Sequence, residues 1–406
     1  MSSRTKNINW AAQLEQELTQ NILPFWMTHA VDSINGGMHG AVTNDLRVAS
    51  EVPRSSILSA RVLWTFSAAY RAIGKTEYRA MADRAFRDLT TAFWDTEHDG
   101  VYWHVDRHGA VADDRKHHYA QAFAIYGLTE YFQAVGHPDA LDRAKQLYEL
   151  LEHHAYDSEH AGYFEGSSRG WEPLDDARLS DKDLDSPKSM NTMLHMLEAY
   201  TNLLRVWDDA GLRTRLAEML WVFCERIIDP QTHHMRLFFD ETWHVVDAGV
   251  SYGHDIEASW LLNEAAIELG SPEIVDRIEA IAQQMAAAVL RDGVAGDGSL
   301  FTEVSSDGIL DRGKDWWPQA EAIVGFYNAY ELSGKEAYAE AARNCWEYVR
   351  SAMVDTEHGD WVKRIDENGD VDPERYKSGP WECPYHHSRT CLEMIRRLAS
   401  PAGGSS

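Results

Sequence analysis

Six places in this 406-residue chain carry side chains too polar or too bulky for packing alone, each where loop-like text gives way to helix-like text. They are Arg61; Lys116, His117, His118, Tyr119 and Gln121; Lys188 and Asn191 with His195; His254 with Glu257; Trp316 and Trp317 with Glu321; and Trp381 with His386 and Arg389. Imidazole titrates near neutrality, so His195, His254 and His386 can each act as base or acid within one cycle. The natural substrate for such groups is an activated C–H beside a carbonyl. It needs a base on one side, an acid on the other, and a cation such as Arg61 for the enediolate oxygen. That chemistry calls for no metal and no cofactor. A rival reading makes Glu257 and Glu321 the two carboxyls of a glycosidase. Against it, each shares its helix face with a histidine or an aromatic, which suits a residue that orients another. Asn191 and His195 are four residues apart, His254 and Glu257 three, Trp317 and Glu321 four, His386 and Arg389 three, so each pair lies on one helical face. One such residue in a first turn is most simply a cap or a complement to the helix dipole. Six positions in phase point instead to a site.

The phase comes from a repeat. Short Asp/Gly-rich segments recur with aspartates at Asp32, Asp95, Asp157, Asp229, Asp292 and Asp355, at intervals of 63, 62, 72, 63 and 63 residues. Gly74, Gly136, Gly211, Gly270 and Gly334 punctuate the apolar text in step, as glycines do in a left-handed conformation just past a helix. Apolar residues at three-to-four spacing predict helices over 8–28, 56–73, 76–93, 117–135, 138–155, 188–209, 212–228, 255–269, 272–290, 317–333, 336–353 and 384–398. Twelve helices in six hairpins form either an open solenoid or a closed ring. The last unit stays rich in Trp, Tyr and His where a solenoid needs a polar cap, so closure is expected. The fold class is therefore all-α, a single-domain (α/α)6 barrel spanning 1–400 with short β-hairpin or loop insertions at one rim. Residues 401–406 are expected to form a disordered tail. If the inner helices all start at one rim, the six groups converge on one mouth.

Composition excludes several classes. A net charge of −27 opposes binding to nucleic acid or an anionic membrane surface, and no run of 18 apolar residues can span a bilayer. Four cysteines without a C-x-x-C pair describe neither a disulfide scaffold nor a zinc ribbon, and the first residues lack the apolar core of a secretory signal. A cytoplasmic setting is expected. Cys383 and His386 lack the second pair that zinc needs. Asp366 to Asp370 lacks the Gly and Glu of a calcium loop and reads as a turn. Gly74-Lys75-Thr76 is a helix cap, since a P-loop has another Gly five residues earlier. The 19 His and 15 Trp fit a sugar site at which protons move.

Five segments together resemble a known family: Arg54 to Trp64 around Arg61, Ser180 to His195, Tyr252-Gly253-His254-Asp255-Ile256-Glu257, Asp315 to Ala322, and Gly379 to Arg389. Over about residues 10–398 the chain is similar to the cellobiose 2-epimerases of the N-acylglucosamine 2-epimerase family. The resemblance implies the (α/α)6 barrel and cofactor-independent epimerisation at C2 of the reducing-end sugar of β-1,4 disaccharides. It implies His254 and His386 as the acid/base pair, with His195 and Arg61 assisting ring opening and holding the enediolate. Tyr119, Asn191, Glu257 and Glu321 would orient these groups and bind hydroxyls. Trp317 and Trp381 would stack on sugar rings with Trp316 beside them, and Asp183 would reach the second sugar. The implied partner is a small disaccharide (cellobiose, mannobiose or lactose), bound by a monomer, with a homodimer as the alternative. A mannose 2-epimerase or aldose–ketose isomerase of the same family is the second reading; the tryptophan-rich mouth favours a second sugar. Two positions depart from the family pattern: Ser59 replaces an amide and His387 an asparagine, and both are expected to bear on sugar preference.

Overall fold

The computed structural model describes residues 3–180 and 183–399. The expected tail at 401–406 lies outside them. The helices are α1 (Ser3–Glu17), α2 (Leu23–Thr28), α3 (Ser56–Ile73), α4 (Thr76–Thr91), α5 (His118–Val135), α6 (Pro138–His154), α7 (Met190–Leu204), α8 (Ala210–Val222), α9 (Tyr252–Leu269), α10 (Pro272–Asp292), α11 (Trp316–Ser333), α12 (Glu336–Tyr348) and α13 (Tyr385–Ala399). A π-helical turn joins α1 to α2, so the described helices make twelve rods. None is long and apolar enough to cross a membrane.

Two kinds of helix alternate. The first fourteen residues of α3 are buried, whereas α4 buries only a stripe that includes Tyr78, Met81, Ala82, Ala85 and Leu89. A helix apolar all round belongs inside, and one with a single stripe belongs outside. Accordingly α3, α5, α7, α9, α11 and α13 form an inner ring in which each packs on the next, and α13 packs back on α3. The chain's first helix lies against α13, so the N-terminal rod completes the outer layer of the last unit. Two inner contacts need the absence of a side chain. A Cβ on Gly127 of α5 would stand 2.6 Å from Ala60 O of α3, and one on Gly325 of α11 would stand 2.6 Å from Ile256 O of α9.

At one rim each unit carries a tight hairpin closed by a single bridge: Val31–Met38, Trp94–Val101, Tyr156–Tyr163, Ile228–Met235, Val294–Leu300 and Val354–Trp361. Two-residue strands ahead of five inner helices pair antiparallel with the strand after the next hairpin, as in Lys188–Ser189 with Phe238–Phe239. A Val42–Ser378 bridge supplies the sixth link. These pairings fix where every inner helix begins, and so fix the site.

Three sequence expectations are corrected here. Gly74, Gly136, Gly270 and Gly334 do cap helices with positive φ, but Gly211 lies in the first turn of α8 behind the N-cap Asp209. Helix α7 ends earlier than expected, at Leu204, without a glycine. Asp292 is likewise not a counterpart of the other repeat aspartates: it ends α10, and the residue after the bridge in that unit is Ala295. That hairpin closes from Ala295 N to Ser299 O, one residue tighter than its counterpart from Asp95 N to Gly100 O. The difference has an electrostatic consequence. Lys116 Nζ donates to Asp95 and Lys188 Nζ to Asp157, and Lys377 pairs with Asp355, whereas the buried Lys314 Nζ has no hydrogen-bond partner. It sits 3.2 Å from the centroid of the Phe301 ring, and burial pulls its ammonium down to about 8.

Candidate active site

The inner helices all begin at the hairpin rim, and their first turns surround a cavity of about 430 Å3. Its wall contains Arg61, Tyr119, Asp183, Asn191, His195, His254, Trp316, Trp317, Trp381 and His386, which gathers ten of the residues singled out in the sequence. Leu179, Ser180, Asp315 and Arg375 also line it and carried no sequence signal of their own.

His254 stands in the first turn of α9, its Nδ1 2.7 Å from Oγ of the N-cap Ser251. Burial, with His195 and the Arg61 charge nearby, holds its imidazole down to about 3, so it is neutral. His386 opens α13 with Nδ1 2.7 Å from Glu321 Oε1. With Glu321 ionised, as the Arg389 charge favours against burial, the carboxylate only accepts, so Nδ1 carries the proton and Nε2 is the ring's free base. Burial and the guanidiniums of Arg61 and Arg389 keep His386 neutral as well. Trp317 neighbours both imidazoles, with ring centroids 4.6 Å from His254 and 5.6 Å from His386. Gly253 makes that placement possible: a Cβ there would stand 2.5 Å from the Trp317 ring.

His195 is the third buried imidazole, held down to about 4 mainly by burial, with Nδ1 2.9 Å from Glu198 Oε2. Its neighbour Tyr119 presents its ring edge-on at 5.0 Å and accepts a 2.7 Å hydrogen bond from Arg61 Nη2. Arg61 is packed over Phe123 at 4.2 Å and donates to Cys383 Sγ at 3.5 Å, and its Nε has no partner. Among the described residues no carboxylate neutralises it. A buried guanidinium in that state is available to a developing oxyanion.

Glu257 and Glu321, expected to orient the catalytic groups and bind hydroxyls, lie behind the cavity wall rather than among its lining residues. Both accept from the same Arg389 Nη2, at 2.7 and 2.6 Å, behind His386, while Glu198 and the Tyr385 hydroxyl meet Nη1. Glu321 also accepts from Trp260 Nε1 at 3.1 Å. Burial and the neighbouring Glu321 push the Glu257 carboxyl well up, and its Oε2 has no hydrogen-bond partner. Two carboxylates gathered on one guanidinium nitrogen cannot flank a glycosidic bond, so the glycosidase reading loses its geometry. Glu257, Glu321 and His386 are also close enough to hold a metal ion, but the Arg389 charge already occupies the centre of the carboxylate cluster. Glu198 and Tyr385 are the residues that sequence reasoning missed. The spacing of His195 and Glu198, three apart on one helix, was the available signal.

The two departures from the family pattern also lie off the wall. Ser59 Oγ donates to Asp88 at 3.1 Å, and His387 Nε2 lies 2.6 Å from Asp360 Oδ1 beside Trp361. Both are buried in packing, so neither touches a sugar in the cavity.

A family model described as N-acylglucosamine 2-epimerase (GlcNAc 2-epimerase) matches residues 36–389. A cellobiose 2-epimerase of Bacteroides fragilis is 42% identical over 384 residues, covering 94% of this chain and 98% of that one. A cellobiose 2-epimerase of Dictyoglomus turgidum is 36% identical over 388 residues, covering 95% and 98%. The solved structure of cellobiose 2-epimerase from Bacillus thermoamylovorans superposes with a TM-score of 0.92 at 41% identity, covering 96% and 99%. Fold, site and relatives together define a carbohydrate epimerase, an isomerase, on an (α/α)6 barrel. The chain belongs to the N-acylglucosamine 2-epimerase family.

Proposed function

We propose that the protein epimerises the reducing-end sugar of β-1,4-linked disaccharides at C2, converting cellobiose to glucosyl-mannose. The observation that carries this reading is the pair of neutral, buried imidazoles, His254 and His386, on the wall of one cavity and both beside Trp317. The sugar ring opens with help from His195 and Arg61. One imidazole takes the C2 proton, and the electron pair moves through C1–C2 onto O1, giving a cis-enediolate whose charge Arg61 meets. After rotation the other imidazole, made an imidazolium by a proton taken up from solvent, returns that proton to the opposite face of C2, and the first imidazolium releases its own to solvent, so both end neutral. Glu321 steadies His386 when it is charged, and Arg389 favours the ionised form of Glu321 against the burial that pushes its carboxyl up. Tyr119 and Asn191 suit sugar hydroxyls, and the orphaned Asn191 Oδ1 is one waiting acceptor. Trp316, Trp317 and Trp381 offer apolar faces to pyranose rings, and Asp183 suits the second sugar.

Incubation with cellobiose in deuterated water, read by NMR, tests this. The expected product is glucosyl-mannose carrying deuterium at C2. A ketose as the main product makes the protein an aldose–ketose isomerase, and released glucose makes it a glycosidase. Mannobiose and lactose, tested alongside, rank the reducing-end sugars; conversion of mannose but of no disaccharide overturns the second-sugar assignment.

A further inference from the structure

Both imidazoles of the acid/base pair must exchange a proton with solvent in each turnover, yet both are buried and a bound sugar occupies the cavity they share. They differ in what stands behind them. His386 Nδ1 faces Glu321, and beyond it Arg389, Glu257 and Trp260 are all buried and line neither the sugar cavity nor its neighbour. His254 lines both the sugar cavity and a second one of about 390 Å3 beside it. Its Nδ1 is 2.7 Å from Ser251 Oγ, and of the two cavities Ser251 lines only the second. Across the short strand pair ahead of α9, Ser251 stands directly opposite Glu303, which is exposed and lines the same second cavity. Opposed residues of an antiparallel pair put their side chains on one face with Cβ atoms about 5 Å apart, so the carboxylate reaches the hydroxyl directly or through one bridging water. In the other four strand pairs ahead of inner helices, the residue in the place of Glu303 is His104, Gly166, Phe238 or Arg364, none of them an acid.

We propose that Ser251 and Glu303 form a proton outlet for His254, carrying protons between its Nδ1 and solvent behind a bound sugar. The proposal rests on the reading of His254 as one of the two C2 bases. When Nε2 takes the C2 proton, the proton on Nδ1 passes to Ser251 Oγ, and the serine's own hydroxyl proton passes to Glu303 and then to water. The C–H electron pair stays with the enediolate, and the ring ends neutral with its proton on Nε2. In the other direction Nε2 gives its proton to C2 while Nδ1 takes one from Ser251, which takes one in turn from Glu303. Nothing is consumed, and the charge that burial opposes on this ring is passed on rather than held. Ser251 and Glu303 act through His254 and touch no sugar, so they are positioning residues for the proton. His386 has no such outlet and exchanges its proton more slowly, through the sugar cavity alone.

The test is deuterium wash-in at C2 of the unconverted sugar in deuterated water, read by NMR at low conversion, starting separately from cellobiose and from glucosyl-mannose. The sugar that His254 deprotonates is expected to be recovered with deuterium at C2, because the outlet exchanges the proton before it returns. The sugar that His386 deprotonates is expected to be recovered with less deuterium for the same conversion. Ser251→Asn keeps a helix cap but removes the hydroxyl, and Glu303→Gln changes an exposed residue outside the sugar cavity. Each is expected to lower the ratio of wash-in to conversion by about fivefold or more, and to lower kcat, while Ser251→Thr and Glu303→Asp keep both near wild type. A merely structural role would slow wash-in and conversion together and leave their ratio unchanged. The wild-type ratio in either variant, or equal wash-in into both sugars by the wild-type protein, overturns the outlet and leaves the epimerase reading standing. If the wild-type protein makes no deuterated epimer, the epimerase reading falls and the outlet with it.

Discussion

Two buried arginines in this site do opposite jobs, and their partners explain why. Arg389 is enclosed by Glu198, Glu257 and Glu321, so its charge is spent on holding carboxylates that in turn orient His195 and His386. Arg61 is enclosed by Phe123, Tyr119 and Tyr385 rings and keeps its charge for a ligand. Replacing Arg61 by Met is therefore expected to lower kcat about 10²–10³-fold while the melting temperature stays within a few degrees, read by steady-state kinetics and calorimetry. Arg389→Met should instead unfold or strongly destabilise the protein, by about 3–5 kcal/mol, because it strands buried carboxylates. Most of the wall was legible in the sequence because histidines, tryptophans and Arg61 fall in phase with the repeat. Glu198, Tyr385 and the place of Glu257 were not. Whether a helix residue faces the cavity or the seam between two inner helices depends on helix rotation, which periodicity leaves free by a fraction of a turn.

At the scale of elements, the short strands and glycines determine the precision of the site. Gly253 admits the Trp317 ring against α9, so Gly253→Ala is expected to displace Trp317 and reduce kcat/KM at least tenfold with the fold retained; circular dichroism and kinetics together check this. The unit with Ala295 is the weak link in the repeat, because it leaves Lys314 buried and unpaired. Lys314→Met should raise stability at pH 7 by about 1–3 kcal/mol. The sign with pH follows from the native amine at about 8 against its ordinary 10.5: the penalty is full below 8 and vanishes above 10.5, so the gain from Lys314→Met shrinks as pH rises across that window. Denaturant titrations at pH 7 and pH 10 measure the difference. The sequence made Asp292 look like a repeat aspartate because spacing alone cannot see a hairpin shortened by one residue. Gly211 misled for a related reason: α7 stops on its own at Leu204, and the glycine then falls inside the next helix.

Over the whole molecule, ring closure gathers one residue or more from each of six units into a buried polar centre, and burial sets its response to acid. His104, His118 and His195 are held to about 4, and His117 and His254 to about 3, against an ordinary 6.5. Below pH 6.5 the unfolded chain takes up protons that the folded one refuses, so stability falls as pH drops from 6.5 toward 3. The melting temperature is expected to be flat near neutrality from these groups and to drop steeply below pH 6, with net proton uptake on unfolding measurable by titration. The ring itself was readable from the sequence, since six units with an aromatic last member have no polar end to cap. The −27 charge had no part in that argument; it bears on what the surface avoids.

The central claim is that His254 and His386 are two distinct bases serving one C2 carbon. The direct measurement is solvent-deuterium exchange at C2 of cellobiose and, separately, of glucosyl-mannose, with His254→Asn and His386→Asn enzymes. Each variant should fail to interconvert the sugars by at least 10³-fold, while one still exchanges C2 hydrogen in cellobiose alone and the other in glucosyl-mannose alone. Wild-type epimerisation by either variant would contradict the account.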